Sequence, residues 1–336
     1  MRLLLVTSSR DADFEDKTMA EHVKSRPYSI FAILYNLEQL GWATNHVGFR
    51  TGLNPVALAR RINTFKPDII YTYGVANALM PLLIRKTLCR HRCFKVVHGW
   101  DDVYADIWRD CFGRIAAFVA KILEKLIICY SDAVVTLSYY NQERGKAWGV
   151  ECHFIPNGAD KPCYDPTQSA LKLSGRFNIV YTGDAAPWKR TEDACRAMQS
   201  LPGDIKLYFT GHIYPHLQKY ASDNCIFLGW LSKNDQWSVM AQADAFVVTA
   251  DQDCNAKLQE YLVWEKPIVG YDGRANNFFT NGRNALLTRD YASAFRRLAE
   301  DPEFCRTLAL NAANDLPVDS WQDIAKKFAT FFTSLS

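Results

Sequence analysis

Short apolar runs alternate along the chain with longer segments in which apolar residues recur every three or four positions. The first pattern is typical of buried strands and the second of amphipathic helices. In the first half, the runs predict strands at Met1–Val6, Thr44–Gly48, Asp68–Tyr73, Phe94–His98, Ala133–Leu137 and Cys152–Ile155. The segments between them predict a charged loop at residues 8–27 and helices at Tyr28–Gly41, Pro55–Phe65, Ala76–Cys89, Val103–Tyr130 and Tyr139–Trp148. Regular alternation of strand and helix predicts a doubly wound parallel sheet with helices on both faces.

The same alternation restarts after a break in the middle of the chain. Following Pro156, Asn157 and Gly158, the stretch ADKPCYDPTQ lacks periodicity and is typical of a linker. Beyond it, strands are predicted at Phe177–Thr182, Ile205–Thr210, Cys225–Leu228, Ala245–Thr249 and Pro267–Tyr271. Helices are predicted at Thr191–Ser200, Tyr214–Tyr220, Asn234–Ala241, Ala256–Glu265, Tyr291–Ala299, Pro302–Asn314 and Trp321–Leu335. We therefore expect two Rossmann-like domains, residues 1–165 and 172–319, with a ligand cleft between them.

Composition narrows the class of protein without identifying an activity. Of the 336 residues, 49% are hydrophobic and 22% are charged, as in ordinary globular proteins, and a net charge of +3 is too small to argue for nucleic acid. The N-terminal apolar run is shorter than a secretory signal needs, and no run approaches the ~18 apolar residues of a membrane span. The ten cysteines include no C-x-x-C pair, and Cys89 and Cys93 lack the second cluster of a zinc site. We therefore expect free thiols in a reducing cytoplasm.

The stretch from Ala243 to Asp272 carries the first chemical signal. It predicts a buried strand, a polar turn at Ala250–Asn255, a helix and a second buried strand, so the turn lies at the carboxyl edge of a parallel sheet, where such sheets bind ligands. The N-terminus of the helix suits a phosphate because its N–H groups are unpaired. Lys257 lies in the first helical turn, where a cation needs a neutralising anion, and Glu260 follows about one turn later. These residues predict a site for a phosphorylated ligand.

Several stretches, in order along nearly the whole chain, resemble one family. In the second half they are VYTGDAAPWKR (Val180–Arg190), LYFTG (Leu207–Gly211), CIFLGWLSKND (Cys225–Asp235), AKLQEYLVWEKPIVGYD (Ala256–Asp272), NGRNALL (Asn281–Leu287) and SWQDIAKKFATFF (Ser320–Phe332). In the first half they are VVHGWDD (Val96–Asp102), SDAVVTLS (Ser131–Ser138) and FIPNGAD (Phe154–Asp160). On these motifs the chain resembles the nucleotide-sugar-dependent GT-B glycosyltransferases of family 4 (glycosyl transferases group 1).

That resemblance implies an α/β fold of the GT-B class, with two Rossmann-like domains facing each other across a cleft. The first domain would bind the acceptor and the second the donor, and a closing helix at about residues 320–336 would pack back on the first. The implied activity is hexosyl transfer from a UDP- or GDP-sugar to a glycan, lipid-linked or surface-polysaccharide acceptor, in polysaccharide or cell-envelope biosynthesis.

The resemblance also implies roles for individual residues. The residues that would bind the donor's nucleotide and diphosphate are Gly183, Lys189, Arg190, Gly211, Gly229, Lys257, Leu258 and Glu260. Those that would bind the donor sugar are Gln252, Asp253, Cys254 and Asn255. His98 would lie across the cleft, near the anomeric carbon. Because lysine and a helix N-terminus would stabilise the leaving diphosphate, no metal and no other cofactor is expected.

Three departures from the family pattern affect these roles. Asp184 stands where the family usually has an arginine, so Arg190 or Lys257 would supply the missing charge. Gln252 stands where retaining members have the first of two glutamates, and glutamine binds sugar hydroxyls without a charge. A glycine-rich first loop is absent, which suggests a different acceptor.

These departures leave alternatives open. We expect retention of anomeric configuration; the alternative is inversion, with Asp101 or Asp102 as the general base. A non-catalytic nucleotide-sugar-binding protein and a nucleotide-sugar epimerase are further alternatives. The triplet from Asp251 to Asp253 also spells the DxD with which a different glycosyltransferase fold binds a divalent metal, but two domains argue against that fold.

Peripheral contact with an anionic membrane is a separate expectation. The segment Arg109–Ile128 (RDCFGRIAAFVAKILEKLII) mixes apolar residues with Arg114, Lys121 and Lys125, as helices that lie on anionic lipid do. The alternative is a domain helix that packs its apolar face on the core. Under the first interpretation, the protein would act at the inner face of the membrane.

Overall fold

The computed structural model describes residues 1–7, 29–253 and 256–335; the predicted loop at 8–27 lies outside them, as do Cys254 and Asn255. The chain forms two compact units, one made of Met1–Gly158 and Asp319–Ser336 and the other of Ala159–Val318. Each unit is built on its own parallel sheet.

In the first unit, the described residues form a six-stranded sheet with the order β2-β1-β3-β4-β5-β6. Its strands are β1 (Arg2–Thr7), β2 (Ala43–Val47), β3 (Ile69–Tyr73), β4 (Lys95–Gly99), β5 (Ala133–Thr136) and β6 (Cys152–Phe154). Its helices are α1 (Ser29–Gln39), α2 (Phe49–Leu53), α3 (Pro55–Phe65), α4 (Val75–Arg85), α5 (Tyr104–Phe112), α6 (Arg114–Tyr130), α7 (Tyr139–Ala147) and, near the C-terminus, α13 (Trp321–Ser334). The register of β3 and β4 places their carboxyl ends side by side, with Tyr73 opposite Gly99.

Two cores flank this sheet because successive residues of a strand point to opposite faces. Leu5 of β1 packs with Tyr71 against α1 and α13, whereas Leu4 packs against α3 on the other face. Phe328 and Phe332 of α13 contact the Tyr71 ring edge-on, with centroids 5.6 and 5.7 Å away. The closing helix is therefore part of the first unit's core.

In the second unit, the described residues form a six-stranded parallel sheet with the order β12-β11-β10-β7-β8-β9. Its strands are β7 (Phe177–Thr182), β8 (Ile205–Thr210), β9 (Cys225–Gly229), β10 (Ala245–Val248), β11 (Ile268–Tyr271) and β12 (Leu286–Thr288). Its helices are α8 (Thr191–Met198), α9 (Lys233–Ala241), α10 (Ala256–Leu262), α11 (Tyr291–Glu300) and α12 (Pro302–Asp315). Together the two parallel sheets with their flanking helices confirm the predicted α/β fold.

Some predicted elements are wrong in length or type. The helix predicted from Ala256 to Glu265 ends at Leu262, and the segment predicted as a helix at Tyr214–Tyr220 is a 3₁₀ helix, Pro215–Tyr220. The strand β12 arises within a stretch read only as a turn. Three residues are too few to show a periodic pattern, so this strand had no sequence signal.

The single helix predicted from Val103 to Tyr130 is two helices. Gly113 separates α5 from α6 with φ at +88°, in a region that residues with a side chain rarely adopt. Among the helices in the described part of the chain, none is long and apolar enough to cross a membrane.

Candidate functional site

Three neighbouring strands of the second unit end in glycines at the same edge of the sheet. Gly183 follows β7, Gly211 follows β8 and Gly229 ends β9, with φ of +109°, +104° and +68°. The Gly211 N–H donates to the Gly229 carbonyl at 2.7 Å, and a β-carbon on Gly211 would lie 2.3 Å from the Gly183 carbonyl oxygen. A side chain at Gly211 would not fit because the backbones of two strand ends meet there, and Gly211 is buried. Gly183 and Gly229 are half-buried, and a ligand can approach their backbone closely. We call these three residues the glycine edge.

Lys257 and Glu260 lie beside the glycine edge. A β-carbon on Gly183 would be 3.2 Å from Cε of Lys257, which places the lysine stem over the first glycine. The Lys257 ammonium donates to Glu260 Oε2 at 2.7 Å, and both side chains are about 30% exposed, at 28% and 32%. The anion that the lysine requires in the first turn of α10 is therefore supplied by Glu260.

The sequence of α10 explains why its first turn lies at this edge. The buried Tyr261 ring stacks on Phe246 with centroids 4.3 Å apart, and its hydroxyl accepts from the Thr182 N–H at 2.8 Å. Leu258 is also buried in the core. Any contact from Leu258 to a ligand must therefore come from its backbone, whereas Lys257 and Glu260 face outward.

Lys189 and Arg190 lie in the loop after β7, and their contacts differ from those of Lys257. Thr249 Oγ1 donates to the Lys189 carbonyl at 2.5 Å, which ties this loop to the end of β10. Arg190 adopts φ of +57° and holds its guanidinium 4.7 Å from the centroid of the Tyr271 ring. Arg190 or Lys257 was expected to supply the positive charge that is missing at Asp184. Of these two residues, Lys257 lies at Gly183.

Asp184 itself is partly buried. Its carbonyl accepts from the Tyr181 hydroxyl at 2.8 Å. Its Oδ1 is buried and has no hydrogen-bond partner among the described residues. The carboxylate therefore does not form an ion pair through this oxygen with Lys257 or Arg190.

The residues predicted to bind the donor sugar follow β10. Gln252 and Asp253 are buried, and Asn277 donates to Asp253 Oδ2 at 3.2 Å. Asp251 Oδ1 accepts from the Arg274 N–H at 2.8 Å. The two carboxylates thus bind the 3₁₀ turn Arg274–Asn277, and within the described residues no group of three His, Cys, Asp or Glu side chains could hold a metal. Independence from metal stays a prediction.

His98 is buried at the carboxyl end of β4. Its Nδ1 lies 2.9 Å from Thr72 Oγ1, which in turn lies 3.4 Å from the Val97 carbonyl and can donate to it. Burial lowers the pKa of His98 to about 3, against a smaller opposing effect of the hydrogen bond to Thr72. The imidazole is therefore neutral at physiological pH and can act only as a hydrogen-bonding group.

Asp101 lies on the other face of the same sheet. It borders a cavity of about 10 Å³, the size of one water molecule, which Tyr71 and Tyr73 also line. Since Val97 packs on that face with Tyr71, its neighbour His98 points the opposite way. The structure thus separates two of the three predicted catalytic residues, and the third, Asp102, is half-buried in the following loop.

The surroundings of Asp101 shift its proton affinity. Burial raises the pKa of Asp101 to about 7, a hydrogen bond from Tyr73 opposes the increase, and the nearby Asp102 charge adds to it. A carboxyl group with this pKa can accept or release a proton near neutral pH.

A buried charged cluster that the motifs did not reveal holds the loop after β4. Glu124 of α6 is buried; it accepts from Trp100 Nε1 at 3.1 Å, from the Tyr104 N–H at 3.0 Å and from the Arg144 guanidinium at 2.7 Å. The Arg144 guanidinium also lies 4.7 Å from the Trp100 ring centroid. The only sequence signal was Glu124 itself, the single acidic residue of the apolar and basic stretch Arg114–Tyr130.

Trp230 is a second residue that the motif analysis did not single out. It directly follows Gly229 and is 76% exposed, so an indole ring stands free at the glycine edge. Its position next to Gly229 makes this aromatic ring a candidate for contact with a ligand.

Comparison with known proteins finds likeness in structure alone. No family model matches the chain, and no curated protein matches it in sequence. Sucrose-phosphate synthase from Thermosynechococcus elongatus is similar with a TM-score of 0.79 and 14% identity, over 100% of this chain and 99% of that one. HepE from Anabaena in complex with UDP is similar with a TM-score of 0.71 and 18% identity, over 99% of this chain and 100% of that one.

Two further solved structures show the same likeness. HepE in complex with UDP-glucose has a TM-score of 0.67 at 17% identity, over 99% of each chain. MnaA from S. aureus in complex with UDP has a TM-score of 0.63 at 12% identity, over 100% of this chain and 98% of that one. At such identities the likeness shows the fold, and it confirms the predicted GT-B class.

Proposed function

We propose that this chain is a glycosyltransferase that moves a hexose from a nucleotide-sugar donor to a glycan, lipid-linked or surface-polysaccharide acceptor, with retention of configuration and without a metal. The observation that carries the proposal is the glycine edge, where backbone is open to a ligand and Lys257 lies over Gly183. Structures of the same fold bound to UDP and to UDP-glucose support a donor of that kind.

The second unit would bind the donor through a change of ion-pair partner. A diphosphate carries more negative charge than one carboxylate, so the Lys257 ammonium would turn from Glu260 to the phosphates. Glu260 would then be free to accept from both ribose hydroxyls, which are donors. In this role Lys257, together with Lys189, which follows Gly183 by six residues, would stabilise the charge that develops on the leaving UDP.

The nucleobase would lie near the end of β9. Trp230 offers an exposed π-face beside Gly229, and an aromatic ring contributes about 1–3 kcal/mol to stacking on a base. Gln252 and Asp253, with Cys254 and Asn255, which follow them in sequence, would bind the sugar.

The first unit would bind the acceptor. His98, neutral at physiological pH, would donate or accept a hydrogen bond near the anomeric carbon. Inversion remains the second candidate because one observation favours it: the pKa of Asp101 is raised to about 7, the value that suits a general base.

The proposed place of action is the cytoplasm, at the inner face of the membrane. The nine cysteines in the described part of the chain are unpaired, which fits a reducing compartment.

Product analysis tests the proposed activity. The protein is incubated with UDP-glucose and related donors, with and without oligosaccharide and lipid-linked acceptors, in EDTA, and the sugar products are followed by NMR. Transfer to an acceptor, with the donor's anomeric configuration kept, is the expected result. An inverted product would indicate an inverting mechanism with Asp101 or Asp102 as the general base. Formation of an epimer of the donor without acceptor would identify the chain as an isomerase. Binding of the donor without any turnover would identify it as a non-catalytic homologue.

A further inference from the structure

Helix α6 presents large apolar side chains to solvent. With the last residue of α5 they form one stripe: Phe112 (74% exposed), Ile115 (83%), Phe118 (65%), Val119 (43%), Ile122 (45%) and Leu126 (42%). Spacings of three and four residues place the five that belong to α6 on one face of that helix. The opposite face is buried through Ala120, Glu124, Ile127 and Ile128. The helix therefore packs on the core and still exposes a second apolar face, which we call the apolar stripe.

The apolar stripe is flanked on one side by positive charge. Arg114, Lys121 and Lys125 are exposed and form no ion pair with any described residue. At 100° per residue, these three lie together next to Phe118. Glu124, the only carboxylate of α6, is buried against Arg144. Every exposed charge of this helix is therefore positive.

Helix α5 extends this surface without covering it. None of its residues is buried, and its carboxylates Asp106 and Asp110 already form ion pairs with Arg109 of the same helix. Phe112, the last residue of α5, is separated from α6 by Gly113 and adds one more exposed apolar side chain next to the start of α6. The Trp108 ring lies edge-on to Phe112 with centroids 6.3 Å apart, and Phe112 still remains 74% exposed.

The charge pattern selects one occupant. A second copy packed on the same face would present only positive exposed charges from its own α6, so it would offer no carboxylate of that helix to neutralise the cations. An anionic lipid surface offers apolar acyl chains below a layer of negative headgroups, which complements both parts of the face. We propose that the α5–α6 face docks on an anionic membrane, with the apolar stripe inserted among the acyl chains and Arg114, Lys121 and Lys125 at the headgroups.

Under this proposal the two interpretations of residues 109–128 are compatible, because α6 packs one face on the core and would present the other to lipid. It also goes beyond the proposed transfer reaction. Docking needs neither donor nor acceptor, so its test is independent of the transferase assignment.

Co-sedimentation with vesicles tests the docking. Wild type is titrated with vesicles of phosphatidylglycerol and phosphatidylethanolamine, and with phosphatidylcholine alone. Each basic residue near an anionic surface changes partitioning about fivefold, so Lys121→Gln with Lys125→Gln should weaken binding about 25-fold. Ile115→Ser with Phe118→Ser should weaken it about a hundredfold, because each removes a large apolar side chain from the lipid. Raising the salt concentration should weaken wild type and leave the charge variant less affected.

Matched variants elsewhere on the protein serve as controls. Leu310→Ser removes an apolar side chain that is 58% exposed, and Arg60→Gln with Arg61→Gln removes two exposed charges from α3. Both controls should bind anionic vesicles as wild type does, and all variants should keep the wild-type unfolding temperature because the changed side chains are exposed. The proposal is overturned if wild type ignores anionic vesicles, if the stripe variants bind undiminished, or if the stripe mediates a concentration-dependent dimer that does not bind lipid.

Discussion

Burial moves the pKa values of His98 and Asp101 in opposite directions, although only two residues separate them. In each case the charged form loses its hydration: the pKa of the imidazole falls to about 3, and that of the carboxyl group rises to about 7. Both groups are therefore largely uncharged in a slightly acidic solution.

The raised pKa of Asp101 predicts a specific pH dependence of stability. A carboxyl group with a raised folded-state pKa contributes stability that is fully present below its unfolded value, 3.8, and is lost as pH rises through about 7. The unfolding temperature of Asp101→Asn minus that of wild type should therefore increase from pH 5 to pH 8. The depressed pKa of His98 has the opposite effect below pH 6.5, but it is common to both proteins and cancels in this difference. Parallel curves for the two proteins would show that Asp101 is already ionised when folded.

Local motifs predicted which residues lie at the glycine edge, and the structure supplied their partners. Gly183 and Gly211 could be found through motifs that resemble those of the GT-B family, and Lys257 through its place in the first turn of a predicted helix. The stacking of Arg190 on Tyr271 and the separation of His98 from Asp101 could not be found. Such contacts depend on distances between residues far apart in sequence and on which face of a sheet a loop returns to.

At the scale of elements, the glycine edge depends on the close approach of two strand ends. Gly211→Ala would place a β-carbon 2.3 Å from the Gly183 carbonyl oxygen and should destabilise the protein by about 2–5 kcal/mol. Gly282 also has a positive φ, +75°, but nothing lies within 4 Å of its missing β-carbon. Gly282→Ala should therefore cost only about 1–2 kcal/mol. Chemical denaturation measures the free energy of unfolding of both variants. An equal decrease for the two would contradict the close approach of Gly211 to the Gly183 carbonyl.

The loop after β4 depends on a buried ion pair. Glu124→Ala leaves Arg144 without its carboxylate and removes the acceptor for Trp100 and Tyr104, so it should destabilise the protein by about 3–5 kcal/mol. Lys327→Ala removes a surface ion pair with Asp319, 2.6 Å long, and should cost less than about 1 kcal/mol. Denaturant titration of both variants measures the contrast, and a loss below 1 kcal/mol for Glu124→Ala would refute the account of this loop.

The same region shows what periodicity can and cannot predict about an element. The apolar spacing predicted helix across Val103–Tyr130, and the chain is helical at Tyr104–Phe112 and Arg114–Tyr130. The pattern could not say which apolar residues face the core. Helix α6 has apolar residues on two opposite faces. Only the packing of the helix shows that Ile127 is buried and that Ile115 is exposed.

At the scale of the molecule, strand and helix alternation predicted two parallel α/β sheets but not the order of their strands. Order depends on where each crossover returns, and local patterns do not encode it. The fold in turn does not settle the reaction, since one fold supports many activities. The assignment to sugar transfer therefore rests on the glycine edge and on the charged pair beside it.

Ligand-induced stabilisation of wild type, Lys257→Ala and Lys161→Ala tests this assignment most directly. Unfolding temperatures are measured with a panel of nucleoside diphosphates and nucleotide sugars, with and without EDTA. A ligand that binds only the folded state stabilises it by about 2.7 kcal/mol at a hundredfold excess over Kd. We predict an EDTA-insensitive increase with UDP and UDP-sugars in wild type and in the exposed-lysine control Lys161→Ala, and a much smaller one in Lys257→Ala. No increase with any nucleotide, or an increase that Lys257→Ala leaves unchanged, would contradict a diphosphate site at the glycine edge.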